Sequence, residues 1–383
     1  MKTNLAVMFG GVSPEHDISI ITAIQVMANI DTNKYNIVPI YIAKDGQWLS
    51  GQELQKLEFF KGNDSKKLKN VAILPNNNWL YKTHKNKASK LFPIDVALMA
   101  FHGAHGEDGS IAALLEMAGI PYTSANTTAA QIAQDKCAFK YYVAGLGLNT
   151  AKFLTFNECD YRDNETTVIN KVAKELKLPV IIKPSKLGSS IGISVCNNKK
   201  ELESALELAF SLGEQVLVEQ YLQDITEINC AVLGRPENMI VSELEEPIKT
   251  SEILSFENKY IHKHKSGSGG MASLNRKMPP NISQELYQEV VNTSKLLFRK
   301  LNLKGVIRID YIVKEGKLFV NEVNTIPGSM ANYLFKPKGI NFTKLIDALA
   351  ATAISDNIAK QQKTKTFNSD VLKHVISGSK TKK

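Results

Sequence analysis

The sequence predicts an α/β domain followed by an α+β region, and three observations support this fold class. Up to about residue 125, short apolar runs alternate with segments of helical apolar spacing, a pattern typical of a parallel sheet covered by helices. From about residue 126, helical runs and paired strands follow in a less regular order. Near the end, two strands face each other around Lys314-Glu315-Gly316. A chain of 383 residues can hold two or three such units around a large core.

The first unit is expected at residues 1–125. "NLAVMFGG" is an apolar strand that ends in a Gly-Gly turn, and "ISIITAIQVMANI" has the apolar spacing of a helix. "YNIVPIYIA" and "DVALMAFHG" are further strands, and "SIAALLEMAGI" is a helix. Sites on parallel sheets lie beyond the carboxyl ends of the strands. Glu15, His102 and Glu107 fall in loops of that kind.

Two further units and a tail are expected after residue 125. The second, at 126–213, holds the helical run "TAAQIAQDKCAFKYYVAGLG", two strands around a turn in "PVIIKPSKLGSSIGISVC", and the helix "KELESALELAFSLG". The third, at 214–355, begins with the strand "EQVLVEQYL". It continues through a loop rich in Gly, Ser and Lys at 255–275 and a helix near 283–301 to the closing hairpin. Residues 356–383 are expected to form a basic, flexible tail.

Composition and cysteine usage exclude several classes of protein. No window reaches eighteen apolar residues, so no membrane span is expected. The apolar run before Glu15 is too brief for a signal peptide and is better explained as a first strand. The four cysteines are scattered, without a Cys-x-x-Cys pair. They therefore indicate reduced thiols in a cytoplasmic protein, not a disulfide framework or a zinc site.

The net charge of +9 raises the question of an acidic partner such as nucleic acid. Its distribution argues otherwise. Residues 61–90 hold eight lysines against Asp64, and residues 360–383 hold seven lysines against Asp370, so the remainder of the chain is net negative. We expect both basic segments to be solvated or disordered, without a specific nucleic-acid partner.

The closing hairpin places polar residues among apolar ones. Arg308 and Asp310 alternate with apolar residues in "VIRIDYIVKEGK", as Glu322 and Asn324 do in "FVNEVNTIPGS". A three-residue turn ending in Gly316 would preserve parity, so all four side chains would share one face. A solvated polar face is the alternative. The apolar neighbours favour covered strands, where carboxylate and amide oxygens suit Mg²⁺ shared with substrate phosphates.

The segment "KPSKLGSSIG" offers small residues on a turn between two strands. It is not a P-loop, although backbone N–H groups there could approach an anion and Lys183 and Lys136 could add charge. An ordinary flexible hairpin fits the pattern equally well. In "VLVEQYLQDITE", an acid at Glu219 or Glu227 could bind an adenine amino group or a ribose, or face water.

Together these segments resemble the D-alanine–D-alanine ligase family of the ATP-grasp superfamily. The resemblance runs from about residue 4 to about 350 and rests on six motifs in the family's order. They are "FGGVSPEHDIS", "HGAHGEDGS", "KPSKLGSSIG", "VLVEQYL…E", "RIDY" and "NEVNTIPG". The resemblance implies an ATP-grasp fold with an N-terminal parallel-sheet (pre-ATP-grasp) domain. It also implies ATP bound between the second and third units, with two Mg²⁺ ions, for which Mn²⁺ can substitute.

The resemblance also assigns roles to residues. The implied ATP-binding residues are Lys136, Lys183, Ser190, Glu219, Leu222 and Glu227. The implied metal ligands are Asp310, Glu322 and Asn324. The implied catalytic residues are Glu15, Ser189, Tyr260, Arg308 and Gly328. The residues expected to bind substrate are His102, Lys259, Tyr333 and Leu334.

The implied reaction has two steps and serves peptidoglycan precursor synthesis. One D-alanine carboxylate attacks the γ-phosphate of ATP, and the amine of a second D-alanine then displaces phosphate from the acyl phosphate. Mg²⁺, Lys183 and Arg308 would stabilise the developing negative charge. The 255–275 loop would act as a lid that excludes water. A cytoplasmic homodimer without membrane attachment is expected.

One position departs from the family's pattern. Many members carry a serine five residues after the glycine of Pro-Gly, where it helps to hold the second carboxylate. Here "PGSMANYLF" puts Tyr333 at that place, which leaves Ser329, Asn332 and Tyr333 as candidates for the contact.

Three alternative functions remain open from the sequence. The first is ligation of D-alanine to D-serine or D-lactate, although Tyr260 disfavours D-lactate. The second is another carboxylate–amine ligase of the superfamily, which Glu15 and "HGAHGEDGS" disfavour. The third is a basic nucleic-acid-binding protein without ligase activity, for which salt-dependent DNA affinity would be the sign.

Overall fold

The computed structural model describes residues 2–62, 68–248, 275–364, 366 and 369. These residues form three β-sheets of seven, four and five strands, with helices packed on each. Three apolar clusters accompany the sheets, one for each. None of the helices in the described ranges is long and apolar enough to cross a membrane.

The N-terminal sheet is mixed, with a parallel centre. β1, β2 and β7 pair in parallel, as the sequence predicts, whereas β3 to β6 extend the sheet antiparallel in the order β6-β5-β4-β3-β2-β1-β7. Its strands are β1 (Thr3–Gly10), β2 (Tyr35–Ile42), β3 (Trp48–Ser50), β4 (Lys69–Ile73), β5 (Trp79–His84), β6 (Lys87–Pro93) and β7 (Val96–Met99). Its helices are α1 (His16–Ala28), α2 (Leu57–Gly62) and α3 (Ser110–Ala118).

The lysine-rich segment at 61–90 is largely folded. Residues 69–93 supply three antiparallel strands, so disorder is the wrong alternative for that part, whereas residues 63–67 lie outside the described ranges. Lys69, Lys82, Lys87 and Lys90 are exposed, as expected for a solvated face. These strands are difficult to predict from the sequence because their exposed positions are charged and do not alternate with apolar residues.

The central sheet has the order β10-β9-β11-β8 and is wholly antiparallel. Because β11 belongs to it, the expected boundary at residue 213 falls one strand too early. Its elements are β8 (Phe153–Asn157), β9 (Val180–Pro184), β10 (Ser194–Cys196), β11 (Gln215–Gln220), α6 (Glu158–Asp163), α7 (Glu165–Glu175) and α8 (Lys199–Leu212).

Two helices that precede this sheet pack elsewhere. α4 (Thr127–Gln134) and α5 (Lys136–Gly145) contribute Ala129, Phe139 and Val143 to the apolar cluster of the C-terminal sheet. In chain order, the C-terminal core therefore receives two helices before the strands of the central sheet begin.

The C-terminal sheet has the order β14-β13-β12-β15-β16, and every pair is antiparallel. Its elements are β12 (Thr226–Gly234), β13 (Ile240–Pro247), β14 (Arg276–Lys277), β15 (Gly305–Lys314), β16 (Lys317–Asn324), α9 (Gln284–Lys300), α10 (Asn332–Phe335) and α11 (Phe342–Gln361). Leu345 and Leu349 of α11 return to the N-terminal core. Since α11 runs to Gln361, the expected tail at 356 begins too early.

The β15–β16 turn has two residues, not the three predicted. Lys314 pairs with Lys317, and Glu315 and Gly316 between them have φ values of 50° and 73°. Positive φ at both central residues is the signature of a type I′ hairpin turn. Such a turn pairs residues of opposite parity, so by itself it would put Asp310 and Glu322 on different faces.

A β-bulge at Asn321 reverses that effect. Asp310 pairs with Glu322, whereas Tyr311 pairs with Val320, so Asn321 is the extra residue. The bulge shifts the register by one, and residues directly opposite each other then share a face. The predicted common face of the four polar residues is thus confirmed, with a different cause.

Candidate active site

A cavity of about 650 Å³ lies between the central and C-terminal sheets. Residues from both sheets and from the connection between β11 and β12 line it. Among the sequence-predicted site residues, it brings together Lys183, Ser190, Glu219, Leu222, Glu227, Arg308, Asp310 and Glu322. The cavity therefore joins most of the expected nucleotide and metal residues in one place, with Lys136 and Asn324 outside its lining.

A buried triad of charges forms one wall of the cavity. Glu219 on β11 lies 2.6 Å from the Nζ of Lys183 and 2.8 Å from the Nζ of Lys140. Burial would raise the pKa of Glu219, but the two ammonium groups outweigh it and lower the pKa to about 2. Glu219 is therefore ionised, and the triad carries one net positive charge.

Lys140 is a site residue that the sequence did not reveal. It is 2% exposed, lines the cavity, and also donates to the carbonyl of Val320 at 3.2 Å. Burial lowers its pKa, and the neighbouring Lys183 acts in the same direction. The sequence feature that could have identified Lys140 is its spacing of one helical turn from Lys136 on α5.

Lys136 lies against the glycine-serine loop and is not among the residues that line the cavity. It opens α5, and its Nζ donates to the carbonyl of Leu187 in the glycine-serine loop. Its backbone N–H donates to the carbonyl of Ser185 at 2.9 Å. Lys136 thus holds the stem of the loop, while Ser190, with φ of 63°, lines the cavity.

The predicted metal face, on β15 and β16, forms another part of the cavity lining. Arg308 makes a bidentate pair with Asp310, with Nε to Oδ1 at 2.6 Å and Nη2 to Oδ2 at 2.7 Å. The Nδ2 of Asn324 donates to Asp310 Oδ2 at 3.1 Å. Burial and the charges of Glu322 and Glu227 raise the pKa of Asp310, against the opposing effect of Arg308.

The donor chemistry fits a hard cation, although the protein ligands are few. Within the described residues, no group of three or more His, Cys, Asp or Glu side chains is arranged to hold a metal ion. The set here is two carboxylates and one amide. Five carboxylates and three cationic side chains line the cavity, so a phosphate ligand would need added positive charge.

A polar row crosses the C-terminal sheet and ends at the metal face. Asn229 pairs with Glu245 on β13 and with Asp310 on β15, and Asp310 pairs with Glu322 on β16. Directly opposite residues share a face, so these four side chains form one line. Asn229 also donates to Glu245 Oε1 at 3.0 Å.

The predicted pair of Glu15 and Ser189 is present. The hydroxyl of Ser189 donates to Glu15 Oε1, and Ser189 adopts φ of 52°. Two glycines make room for the carboxylate, because a Cβ would lie 2.6 Å from Glu15 Oε2 at Gly188 and 2.9 Å at Gly103. The glycine-serine loop thus reaches from the central sheet to the N-terminal unit.

His102 lies buried beside this pair. Its Nε2 is 2.8 Å from the hydroxyl of Thr22, and burial, with the charge of Arg308, lowers its pKa to about 4. His102 is therefore a neutral hydrogen-bonding group. Glu107 accepts from the N–H of Gly103 at 2.8 Å, and burial together with the charge of Glu15 raises its pKa to about 8.

The segment after Pro327 has an unusual backbone. Ser329, Met330 and Ala331 are three successive residues with φ between 47° and 53°, a conformation that non-glycine residues adopt at a cost. Ser329 is tied to α1 by donation from its hydroxyl to Gln25 Oε1 at 2.8 Å. Gly328 begins this turn, as expected of a break after the strand.

Tyr333 and Leu334 differ in their surroundings. The hydroxyl of Tyr333 donates to Glu245 Oε1 at 3.0 Å, and its ring is 6% exposed. Leu334 is fully buried in the N-terminal core, so its side chain serves packing. Lys259, Tyr260 and the predicted lid at 255–275, up to residue 274, lie outside the described residues.

Two family models match this chain almost end to end. "D-ala D-ala ligase N-terminus" matches residues 4–125, and "D-ala D-ala ligase C-terminus" matches residues 142–351. A D-alanine–D-alanine ligase of Thermosipho africanus is 38% identical over 368 residues, covering 96% of this chain and 97% of the relative.

Solved structures have the same fold. The chain is similar to a D-Ala:D-Ser ligase, VanG, from Enterococcus faecalis, with a TM-score of 0.76, 28% identity, and coverage of 92% of this chain and 100% of that one. It is also similar to a D-alanine–D-alanine ligase from Bacillus anthracis complexed with ATP. That match has a TM-score of 0.65, 25% identity, and coverage of 94% of this chain and 99% of that one. The expected fold is thereby confirmed.

Proposed function

We infer the chemistry of the cavity from the family to which the chain belongs, the D-alanine–D-alanine ligases. Both family models, and a relative that is 38% identical over 97% of its own length, establish this membership. It is an ATP-dependent ligase that joins two D-alanines into D-alanyl-D-alanine for peptidoglycan synthesis. The geometric support is one cavity that collects Lys140, Lys183, Arg308, Asp310 and Glu322 between two sheets.

In the proposed nucleotide site, ATP occupies this cavity. Lys183 supplies a charge for the phosphates, and Lys140 and Glu219 fix its position. Leu222 on the connection after β11 and Glu227 at the start of β12 both line the cavity, where they would meet the adenine and ribose. Ser190 would present the glycine-serine loop to the phosphates. Lys136 would move from Leu187 to the phosphates once nucleotide enters.

Magnesium, or manganese in its place, would be held by Asp310, Glu322 and Asn324. When bound, two such ions would offset the charge of the triphosphate and of the surrounding carboxylates. The support is the oxygen donor set and the close approach of these carboxylates: burial first, and then the charges of Glu322 and Glu227, raise the pKa of Asp310. Arg308 keeps Asp310 oriented through its two hydrogen bonds.

In the first chemical step, the carboxylate of one D-alanine attacks the γ-phosphorus, the bond to the bridging oxygen of ADP breaks, and an acyl phosphate forms. We propose that Glu15, oriented by Ser189, binds the ammonium group of this first D-alanine. His102, kept neutral by its burial, would donate or accept a hydrogen bond beside it.

In the second step, the neutral amine of the second D-alanine attacks the acyl carbon, inorganic phosphate leaves, and the amine loses a proton. Arg308 and the N–H of Gly328 would stabilise the oxyanion; losing one such donor typically costs about 100- to 1000-fold in rate. Lys259 and Tyr260 would complete the acceptor side, with Tyr260 favouring an amine over the hydroxyl of D-lactate. The 255–275 loop would cover the site.

The decisive experiment measures ATP-dependent phosphate release with a panel of D- and L-amino acids and D-lactate, and identifies the product by mass. We expect D-alanyl-D-alanine as the main product, with activity that rises between about pH 6 and 9 as the acceptor amine deprotonates. Equal formation of D-alanyl-D-serine or D-alanyl-D-lactate would contradict the acceptor assignment. We further propose a cytoplasmic homodimer, which the family resemblance and the scattered cysteines support.

A further inference from the structure

Three side chains next to the cavity-lining residues Asn229 and Pro247 form a cluster that the proposed mechanism does not use. We name Glu245 on β13, Arg276 on β14, and Tyr333 the edge cluster. Arg276 Nη1 donates to Glu245 Oε2 at 2.8 Å, and Tyr333 donates to the other oxygen at 3.0 Å. The guanidinium lies over the Tyr333 ring, with Cζ 4.0 Å from the centroid.

The edge cluster is held rigidly. Glu245 is 2% exposed and accepts hydrogen bonds from Asn229, Arg276 and Tyr333, which come from three separate segments. A buried carboxylate requires such donors. Arg276 is therefore fixed by an ion pair on one side and by an aromatic ring on another, which limits the entropy it would lose on binding a ligand.

The hydroxyl of Tyr333 already donates a hydrogen bond to the carboxylate of Glu245. Burial and the charge of Glu245 raise its pKa, so it remains a neutral donor to Glu245. Tyr333 stands where many family members have a serine that contacts the second carboxylate. Because its hydroxyl points to Glu245, another group must contribute to that contact in this chain.

The position of Arg276 fits that task. Arg276 pairs in register with Pro247, which lines the cavity. Arg308 also lies close enough to Tyr333 that its charge acts on the tyrosine. The edge cluster therefore borders the cavity next to Arg308, whose Nε and Nη2 already bind Asp310.

We propose that Arg276 attracts and binds the carboxylate of the acceptor amino acid, with Glu245 and Tyr333 as its positioning residues. This inference rests on the proposed ligase function. A guanidinium suits a carboxylate because its planar donors match the two oxygens. The serine hydroxyl of other family members is thus replaced here by a charged group that enters from β14.

The test compares three nucleophiles that differ at the carboxylate. D-Alanine has it, D-alaninamide has a neutral amide in its place, and hydroxylamine has no such group and traps the acyl phosphate as D-alanyl hydroxamate. For Arg276→Met, the ratio of kcat/KM for D-alanine to that for D-alaninamide should fall about tenfold or more, as expected for a charged hydrogen bond. Hydroxamate formation should stay within about twofold of wild type.

Matched variants separate charge from folding. Arg276→Lys should recover part of the lost ratio, because it keeps the charge but not the stacking. Lys277→Met removes a neighbouring charge that is paired with Glu246 on the surface, and it should leave the ratio unchanged. Tyr333→Phe should raise the KM for acceptor D-alanine more than it lowers kcat, and it carries the test if Arg276→Met does not fold.

Two results would overturn the inference: an unchanged ratio in Arg276→Met, or an equal loss with all three nucleophiles. The second result would mean that Arg276 only supports the fold. The hydroxamate assay on the wild type distinguishes failure of this inference from failure of the proposed ligase function. If the wild type forms no D-alanyl hydroxamate with ATP and D-alanine, the ligase function itself fails, together with any inference on its acceptor.

Discussion

Lys140 and Glu219 form an ion pair at 2.8 Å in which each side chain is only 2% exposed. Lys183 pairs with the other oxygen of the same carboxylate at 2.6 Å. One acid thus organises two lysines from different elements around the proposed phosphate site.

Removing Glu219 from this triad should leave the buried ammonium groups of Lys140 and Lys183 without their counter-charge. Glu219→Gln is expected to lower the free energy of unfolding by about 3–5 kcal/mol, the usual effect of leaving a buried charge without its partner. Urea unfolding measures it. The matched control is Lys34→Met, because Lys34 is 57% exposed in its pair with Asp347, and an ion pair with so exposed a partner should contribute at most about 1 kcal/mol. Equal effects of the two substitutions would contradict the prediction.

The metal assignment predicts loss of chemistry without loss of fold. Glu322→Gln keeps the size of the side chain but removes a charged oxygen ligand. Phosphate release should become undetectable at ordinary Mg²⁺, while thermal unfolding changes little. Glu315→Gln, on the exposed turn of the same hairpin, serves as the control and should retain activity. Near-normal turnover in Glu322→Gln would rule out its role as a ligand.

The contact between Ser189 and Glu15 predicts a selective defect in the first substrate. In Ser189→Ala, Glu15 loses a hydrogen-bond donor and becomes less well oriented. The KM for the first D-alanine should rise by about tenfold, as for a lost hydrogen bond to a charged group, with little change in the KM for ATP. Initial rates over a grid of D-alanine and ATP concentrations separate these constants. A parallel rise in both would indicate a general collapse of the loop.

Burial of Glu107 predicts a pH dependence of stability. Its pKa in the folded protein is raised to about 8 from 4.5 by burial and by Glu15. The folded state therefore binds the proton more tightly, and stability falls as the pH rises from about 4.5 to 8. Glu107→Gln should flatten the curve of unfolding free energy over that range. Glu289→Gln on the exposed face of α9 should not. Identical slopes in Glu107→Gln and the wild type would refute the shift.

The regular elements around the site could be predicted from the sequence. β1, α1 and α8 have apolar patterns of the correct period, and the motifs lie at their ends. The strands β4 to β6 could not be predicted, because their exposed lysines mask the alternation. Apolar burial therefore explains what was found, and solvated edges explain what was missed.

The site was predictable where its parts are close together in sequence. Arg308, Asp310, Glu322 and Asn324 share a face as expected, but the two-residue turn and the bulge at Asn321 that produce this arrangement depend on the tertiary structure. Lys140 was missed because a lysine on a helix is normally solvated. Its burial depends on partners that are distant in the chain, the carboxylate of Glu219 and the carbonyl of Val320.

The row of Glu245, Asn229, Asp310 and Glu322 places polar side chains at a regular spacing across the C-terminal sheet. Adjacent strands lie about 4.8 Å apart, so the row extends about 14 Å from end to end. That length matches a compact drug-sized molecule. A rigid inhibitor with hydrogen-bond donors or cationic groups spaced about 4.8 Å apart could bind the edge cluster and the metal face together. Resistance would then require changes on several strands of one sheet, because the row spans four of them.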